Sequence, residues 1–101
     1  MKSTHLKMLM ESGLEMQLNI INIYGRPNCQ WCMSATTLLD IKGWHYTYHD
    51  MTRMEPYNAQ KILNDSGMRS VPIVKVGDIY IGGFDQLKAY VHGKELENGL
   101  L

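Results

Sequence analysis

Ile23-Tyr24-Gly25-Arg26-Pro27-Asn28-Cys29-Gln30-Trp31-Cys32 is the stretch around which the rest of the chain can be ordered. It leaves an isoleucine-rich run, Leu18 to Tyr24, passes through a cluster of turn formers, and arrives at two cysteines separated by two residues. The run has the composition of a mostly buried strand, which Gly25 to Asn28 breaks into a loop. Beyond Cys29, the positions Cys32, Ala35, Leu38 and Leu39 recur at helical spacing until Lys42 and Gly43, a cation followed by a C-cap. The segment reads as strand, cysteine loop, helix.

Working outward, Trp44 to Tyr48 has high strand propensity, and a second helix can start at Glu55 and Pro56. Its apolar positions Ala59, Ile62 and Leu63 share one face, and Gly67 ends it. Val71 to Val76 and Ile79 to Ile81 are short strands joined by Gly77-Asp78, a two-residue connection suited to a hairpin. Gly82-Gly83 then releases the chain into a last helix, with Phe84, Leu87, Tyr90 and Val91 as its stripe and its end near Gly93. The predicted class is α/β: a β-α-β-α-β-β-α order with a four-stranded mixed sheet flanked by helices.

At 101 residues there is room for one domain, expected over residues 18–101. Residues 1–17 form an extension, read either as flexible or as a short docked helix. Leu6, Leu9, Met10 and Leu14 make a helical stripe there that Ser12-Gly13 weakens, and Met16 offers an alternative start. Ten basic side chains balance ten acidic ones, which supplies no field for nucleic acid or an anionic membrane. The beginning of the chain has the pattern of neither a signal peptide nor a membrane span. Two cysteines in one short motif exclude a secreted disulfide framework, so a cytoplasmic location is expected.

The cysteine pair carries the chemistry. Cys29 lies where the unpaired N–H groups and dipole of a helix N-terminus favour negative charge. Free cysteine has a pKa of about 8.5, which such settings lower to between about 3.5 and 7.5, so Cys29 is predicted to be the nucleophile. Arg26 can add a favourable charge. Cys32, one turn further in and less exposed, is predicted to be the resolving thiol that attacks a mixed disulfide on Cys29.

A metal-site reading competes with this one. His45 and His49 follow Cys32 at the spacing of a two-cysteine, two-histidine zinc module. Against it, such a module carries its histidines on a helix, whereas Lys42-Gly43 ends the helix and the histidines fall on a predicted strand. As ordinary strand residues they would share one partly exposed face.

The path Ile23 to Cys32 resembles the first strand and active-site loop of glutaredoxins, within the thioredoxin superfamily. Ser70-Val71-Pro72 is similar to the family's threonine-valine-proline segment, and Gly82-Gly83-Phe84-Asp85 to its glycine-glycine-x-aspartate turn. The ending Ile81 to Leu87 is especially similar to glutaredoxins of tailed bacteriophages, which points to a phage source and a host-cytoplasm location. The resemblance spans roughly Leu18 to Val91.

It implies a thioredoxin-like fold and a glutathione-dependent thiol-disulfide oxidoreductase that acts as a monomer with no permanently bound cofactor. Glutathione would pair with the backbone of Val71, next to a cis Pro72. Asp85 would accept from the ligand's ammonium and Arg26 would pair with a carboxylate, while Tyr24 and Trp31 would wall the cleft. Gly82 and Gly83 would permit close backbone approach. Asp85 could instead only cap its helix, and Arg26 could be a solvated loop charge. Implied substrates are protein disulfides and glutathione mixed disulfides, with ribonucleotide reductase as a target.

Many family members have proline and tyrosine where this chain has Gln30 and Trp31. That leaves a redoxin coupled to thioredoxin reductase as an alternative. Some members also share a glutathione-ligated iron–sulfur cluster between two chains, and the absence of proline at Gln30 keeps that alternative open.

Overall fold

The computed structural model describes residues 20–97. The extension at 1–17, with its candidate start at Met16, lies outside the described residues. Strand β1 spans Ile21–Gly25, helix α1 Gln30–Lys42, β2 Thr47–Asp50, α2 Pro56–Ser66, β3 Ile73–Val76, β4 Ile79–Gly82 and α3 Phe84–Glu97. One turn of 3-10 helix, Met51–Arg53, follows β2, with the Asp50 side chain accepting from Thr52 N. The predicted β-α-β-α-β-β-α order is the observed one.

The four strands form a single sheet in the order β2-β1-β3-β4, with β1 parallel to β2 and antiparallel to β3. The pleat sorts side chains between its faces. Ile21 and Ile23 of β1, with Val74 and Val76 of β3, point to one face and pack with Ala35 and Leu39 of α1 and Leu87 and Val91 of α3. Burying an aliphatic side chain of this size contributes about 1.5–3 kcal/mol, so this layer is the main source of stability. Tyr24, Ile73 and Lys75 alternate to the other face. There α2 packs toward β4, with Ile62 buried.

Three boundaries differ from expectation. Trp44 to Tyr46 do not join the sheet: Trp44 N donates to Leu39 O, closing α1, and Tyr46 hydroxyl donates to Asp40 Oδ1 at 2.8 Å. The chain must return past the end of α1 before it meets β1, so the ladder begins at Thr47, which lies beside Asn22. Val71 and Pro72 precede β3 rather than belonging to it, and the peptide bond between them is cis. Gly93 does not end the last helix, which continues to Glu97 and is tied to α1 by an ion pair between Lys42 and Glu95 at 2.6 Å.

Candidate active site

Asn28, at φ 58°, turns the loop after β1 so that Cys29 becomes the N-cap of α1. The Cys29 carbonyl accepts from Met33 N at 3.1 Å, and its Sγ accepts from Cys32 N at 3.2 Å. The sulfur therefore sits against an otherwise unpaired donor at the positive end of the helix. Cys29 and Cys32 are joined in a disulfide with their α-carbons 5.2 Å apart. Cys29 is 7% exposed and Cys32 1%, so Cys32 is the more buried of the two.

Trp31, which lies between the two cysteines in the chain, walls an open cleft of about 390 Å³ whose other lining residues are Met68, Ser70, Val71 and Pro72, with Gly83, Phe84, Asp85 and Gln86 at the start of α3. Sheet register brings these segments together. Ile73 pairs with Tyr24, so Pro72 enters beside the β1 end that carries the cysteine loop. A Cβ on Gly83 would come 3.3 Å from Pro72 O, a spacing that glycine relaxes. Gly82, at φ 131° and paired with Val74, closes β4 behind the cleft. Asp85 is exposed in the first turn of α3, its carboxylate 3.6 Å from Lys88 Nζ.

Of the predicted binding residues, the structure gathers Trp31, Val71, Pro72, Gly83 and Asp85 around one cleft. Arg26 is exposed on the cysteine loop and is not among the lining residues. Tyr24 does not wall the cleft. Its ring stacks on His49 with centroids 4.6 Å apart and lies tilted against Tyr80 on the α2 face of the sheet.

The same contact removes the metal-site reading. His49 lies on the α2 face, with Nε2 2.7 Å from Asn22 Oδ1, whereas both cysteines open α1 on the other side, and His45 is exposed ahead of β2. Among the described residues, no three His, Cys, Asp or Glu side chains come together as a metal site.

Besides Met68 on the cleft wall, three residues of the site escaped sequence reading. Phe84 counted as part of the core stripe, yet its first-turn position also places it under Trp31. Gln86 accepts from Gly83 N at 2.8 Å, closing the first turn of α3; the spacing of a residue before a helix and a glutamine three later could have signalled it. Tyr48 points its hydroxyl at Arg26 O, 3.4 Å away, beneath the cysteine loop.

A family model described as Glutaredoxin matches residues 21–81. Glutaredoxin 1 of Rickettsia prowazekii is 31% identical over 71 residues, covering 69% of this chain and 75% of that protein. The crystal structure of a buckwheat glutaredoxin–glutathione complex shares the fold, with a TM-score of 0.66 at 24% identity over 96% of this chain and 92% of that one. NrdH-redoxin from Escherichia coli, described as a glutaredoxin-like protein with a thioredoxin-like activity profile, has a TM-score of 0.57 at 27% identity over 68% and 91%.

Proposed function

The chain belongs to the glutaredoxin family, with its thioredoxin-like fold and thiol-disulfide oxidoreductase chemistry, and on that premise we propose that it is a dithiol glutaredoxin reduced by glutathione. The observation that carries the proposal is the N-cap position of Cys29, whose sulfur takes the Cys32 N–H and is bonded to Cys32, while Trp31 between them in the chain walls an open cleft. A donor and a helix dipole aimed at one sulfur favour its thiolate, the form that attacks disulfides.

In the reduced protein, the Cys29 thiolate attacks a substrate disulfide, forms a mixed disulfide and releases one substrate thiolate. Cys32, having lost its proton, attacks Cys29 Sγ, closes the Cys29–Cys32 bond and releases the second substrate thiolate. One glutathione thiolate then opens that bond at Cys29. A second glutathione attacks the resulting mixed disulfide, so that two glutathiones leave as one glutathione disulfide and both protein thiols are restored. With a glutathionylated substrate, Cys29 alone suffices.

The cleft supports glutathione as the reductant, the ligand with which the buckwheat protein is described. Its extended peptide would lie along Val71 as an added strand, with the sulfur toward Cys29 and the γ-glutamyl end toward the N-terminus of α3. Asp85 would receive the ligand's ammonium in place of Lys88, Arg26 would reach a carboxylate from the loop, and Trp31 would cover the peptide. The Gly82-Gly83 turn would allow close approach. Tyr24 has no part in this proposal. No resident cofactor enters it, and its setting is the cytoplasm, with protein disulfides such as that of ribonucleotide reductase as substrates.

The second reading, electrons from thioredoxin reductase, is favoured by the likeness to NrdH-redoxin and by Gln30-Trp31 between the cysteines. Reduction of the disulfide followed with glutathione, and separately with thioredoxin reductase and NADPH, tests the choice. Fast reduction by glutathione alone supports the glutaredoxin assignment; turnover with the reductase alone replaces it with the second reading.

A further inference from the structure

Gly25 ends β1 in a space that no side chain can share. A Cβ there would overlap the Tyr48 hydroxyl and come 2.9 Å from Cys32 Sγ. Its φ lies outside the positive region, so the neighbouring atoms, not the backbone conformation, require glycine. The Tyr48 hydroxyl and the resolving sulfur thus both face the room that Gly25 leaves. Strand register explains the approach: Tyr48 pairs with Ile23, whose side chain points to the α1 side of the sheet.

Among the described residues, no side-chain donor is directed at Cys32, which carries negative charge during turnover. Attack on Cys29 Sγ breaks the Cys29–Cys32 bond, forms a new bond to Cys29 and leaves the electron pair on Cys32 Sγ, which then takes a proton from solvent. Cys32 as a residue is 1% exposed, and a buried thiolate without a donor is costly. The Cys32 N–H points at Cys29 Sγ. On β2, the charge felt by Tyr48 is Asp50, whose sign cannot favour a thiolate; on α1 the neighbouring ionisable group is Cys29 itself; Arg26 is exposed on the loop. The hydroxyl has only a weak commitment, its 3.4 Å bond to Arg26 O being long for an O–H donor.

We propose that Tyr48 is a positioning residue for the resolving thiol, its hydroxyl turning from the Arg26 carbonyl to donate to Cys32 Sγ as negative charge collects there. The same hydrogen bond acts in the reverse direction, when the Cys32 thiolate attacks a mixed disulfide on Cys29. Burial first, and then the Asp50 carboxylate, raise the Tyr48 pKa, so the phenol keeps the proton that it donates. This inference rests on the assignment of Cys29 as nucleophile and Cys32 as resolving thiol.

Tyr48→Phe removes the hydroxyl and keeps the ring. In a Cys29→Ser background, the pH midpoint for alkylation of Cys32 is expected to rise by about one unit, as loss of a hydrogen bond to a charged group implies. Opening of the Cys29–Cys32 bond by glutathione should slow about tenfold, the same loss read as a rate. In a Cys32→Ser background, which lacks the sulfur on which Tyr48 acts, adding Tyr48→Phe should leave reduction of a glutathionylated peptide within about twofold. An unchanged Cys32 midpoint, or equal slowing in both backgrounds, would overturn the proposal. The alkylation midpoint needs no turnover, so it decides the role of Tyr48 even if glutathione proves not to be the reductant.

Discussion

The indole of Trp31 lies across the ring of Phe84, with centroids 5.6 Å apart and planes 28° from parallel. The contact joins the first turn of α1 to the first turn of α3, so one wall of the cleft is built from two helix starts. Lys88 Nζ lies over the Phe84 ring, 5.0 Å from its centroid. Trp31 nevertheless remains 57% exposed, leaving indole surface for a bound peptide.

Phe84→Ala is therefore expected to loosen Trp31 without touching either sulfur. An aromatic pair of this kind is worth about 0.5–1.5 kcal/mol, which corresponds to a rise in KM for a glutathionylated peptide of about two- to tenfold with kcat little changed. Steady-state kinetics checks this. A fall in kcat at constant KM would show that the pair acts on chemistry instead of binding.

The two glycines with the most different surroundings make a matched prediction. Gly25→Ala forces a methyl group onto the Tyr48 hydroxyl and Cys32 Sγ, an overpacking expected to cost about 1–3 kcal/mol. Gly93 stands inside α3 with nothing within 4 Å of an added Cβ, so Gly93→Ala should stabilise by about 0.5–1 kcal/mol. Urea unfolding of the two variants should move in opposite directions.

Gln86 closes the first turn of α3 through the Gly83 N–H, next to the carboxylate proposed to hold the ligand's ammonium. Gln86→Ala should lower stability by about 1 kcal/mol, seen in a domain of this size as a fall of about 4–8 °C in Tm. Gln86→Glu keeps the acceptor and should restore most of the loss. Thermal unfolding followed by circular dichroism measures both.

His49 supplies the pH dependence. Burial between β1 and β2, under the Tyr24 ring, lowers its pKa below the ordinary 6.5. The folded state therefore disfavours the imidazolium, and the unfolded state binds the proton first as pH falls. The contribution of neutral His49 to stability is complete above 6.5 and is lost as pH drops from there through its lower folded value. Unfolding free energy measured between pH 7.5 and 5 should decline less in His49→Asn than in the unmodified protein, over about that range.

Much of this arrangement could be read before any coordinates. Helix α1 and its cysteines were legible because turn formers, apolar spacing and Gly43 agree with one another, and the φ of 73° at Gly43 is the left-handed cap the pattern implies. The start of β2 was not. Trp44 and His45 have strand propensity, but propensity cannot register that the chain is still crossing the end of α1 at that point. The end of α3 was misplaced for a related reason: Gly93 weakens a helix locally, while the Lys42–Glu95 pair and Lys94 lying over Tyr90 hold the following turn.

Tyr24 shows the limit most clearly. Alternation in β1 separates Tyr24 from Ile23, but which face meets the cleft depends on the side against which α1 packs. Tyr48 lies on an edge strand, and its approach to Cys32 exists only through pairing with Ile23 and the gap at Gly25.

The central claim is the division of labour between the two sulfurs, and it can be trapped covalently. Cys32→Ser and Cys29→Ser variants, each incubated with glutathione disulfide at neutral pH and quenched with acid, can be compared by intact-mass and peptide mass spectrometry. The account predicts rapid accumulation of a single glutathione adduct on Cys29 in the Cys32→Ser protein, and slow or no adduct on Cys32 in the Cys29→Ser protein. Equal or faster modification of Cys32 would contradict it.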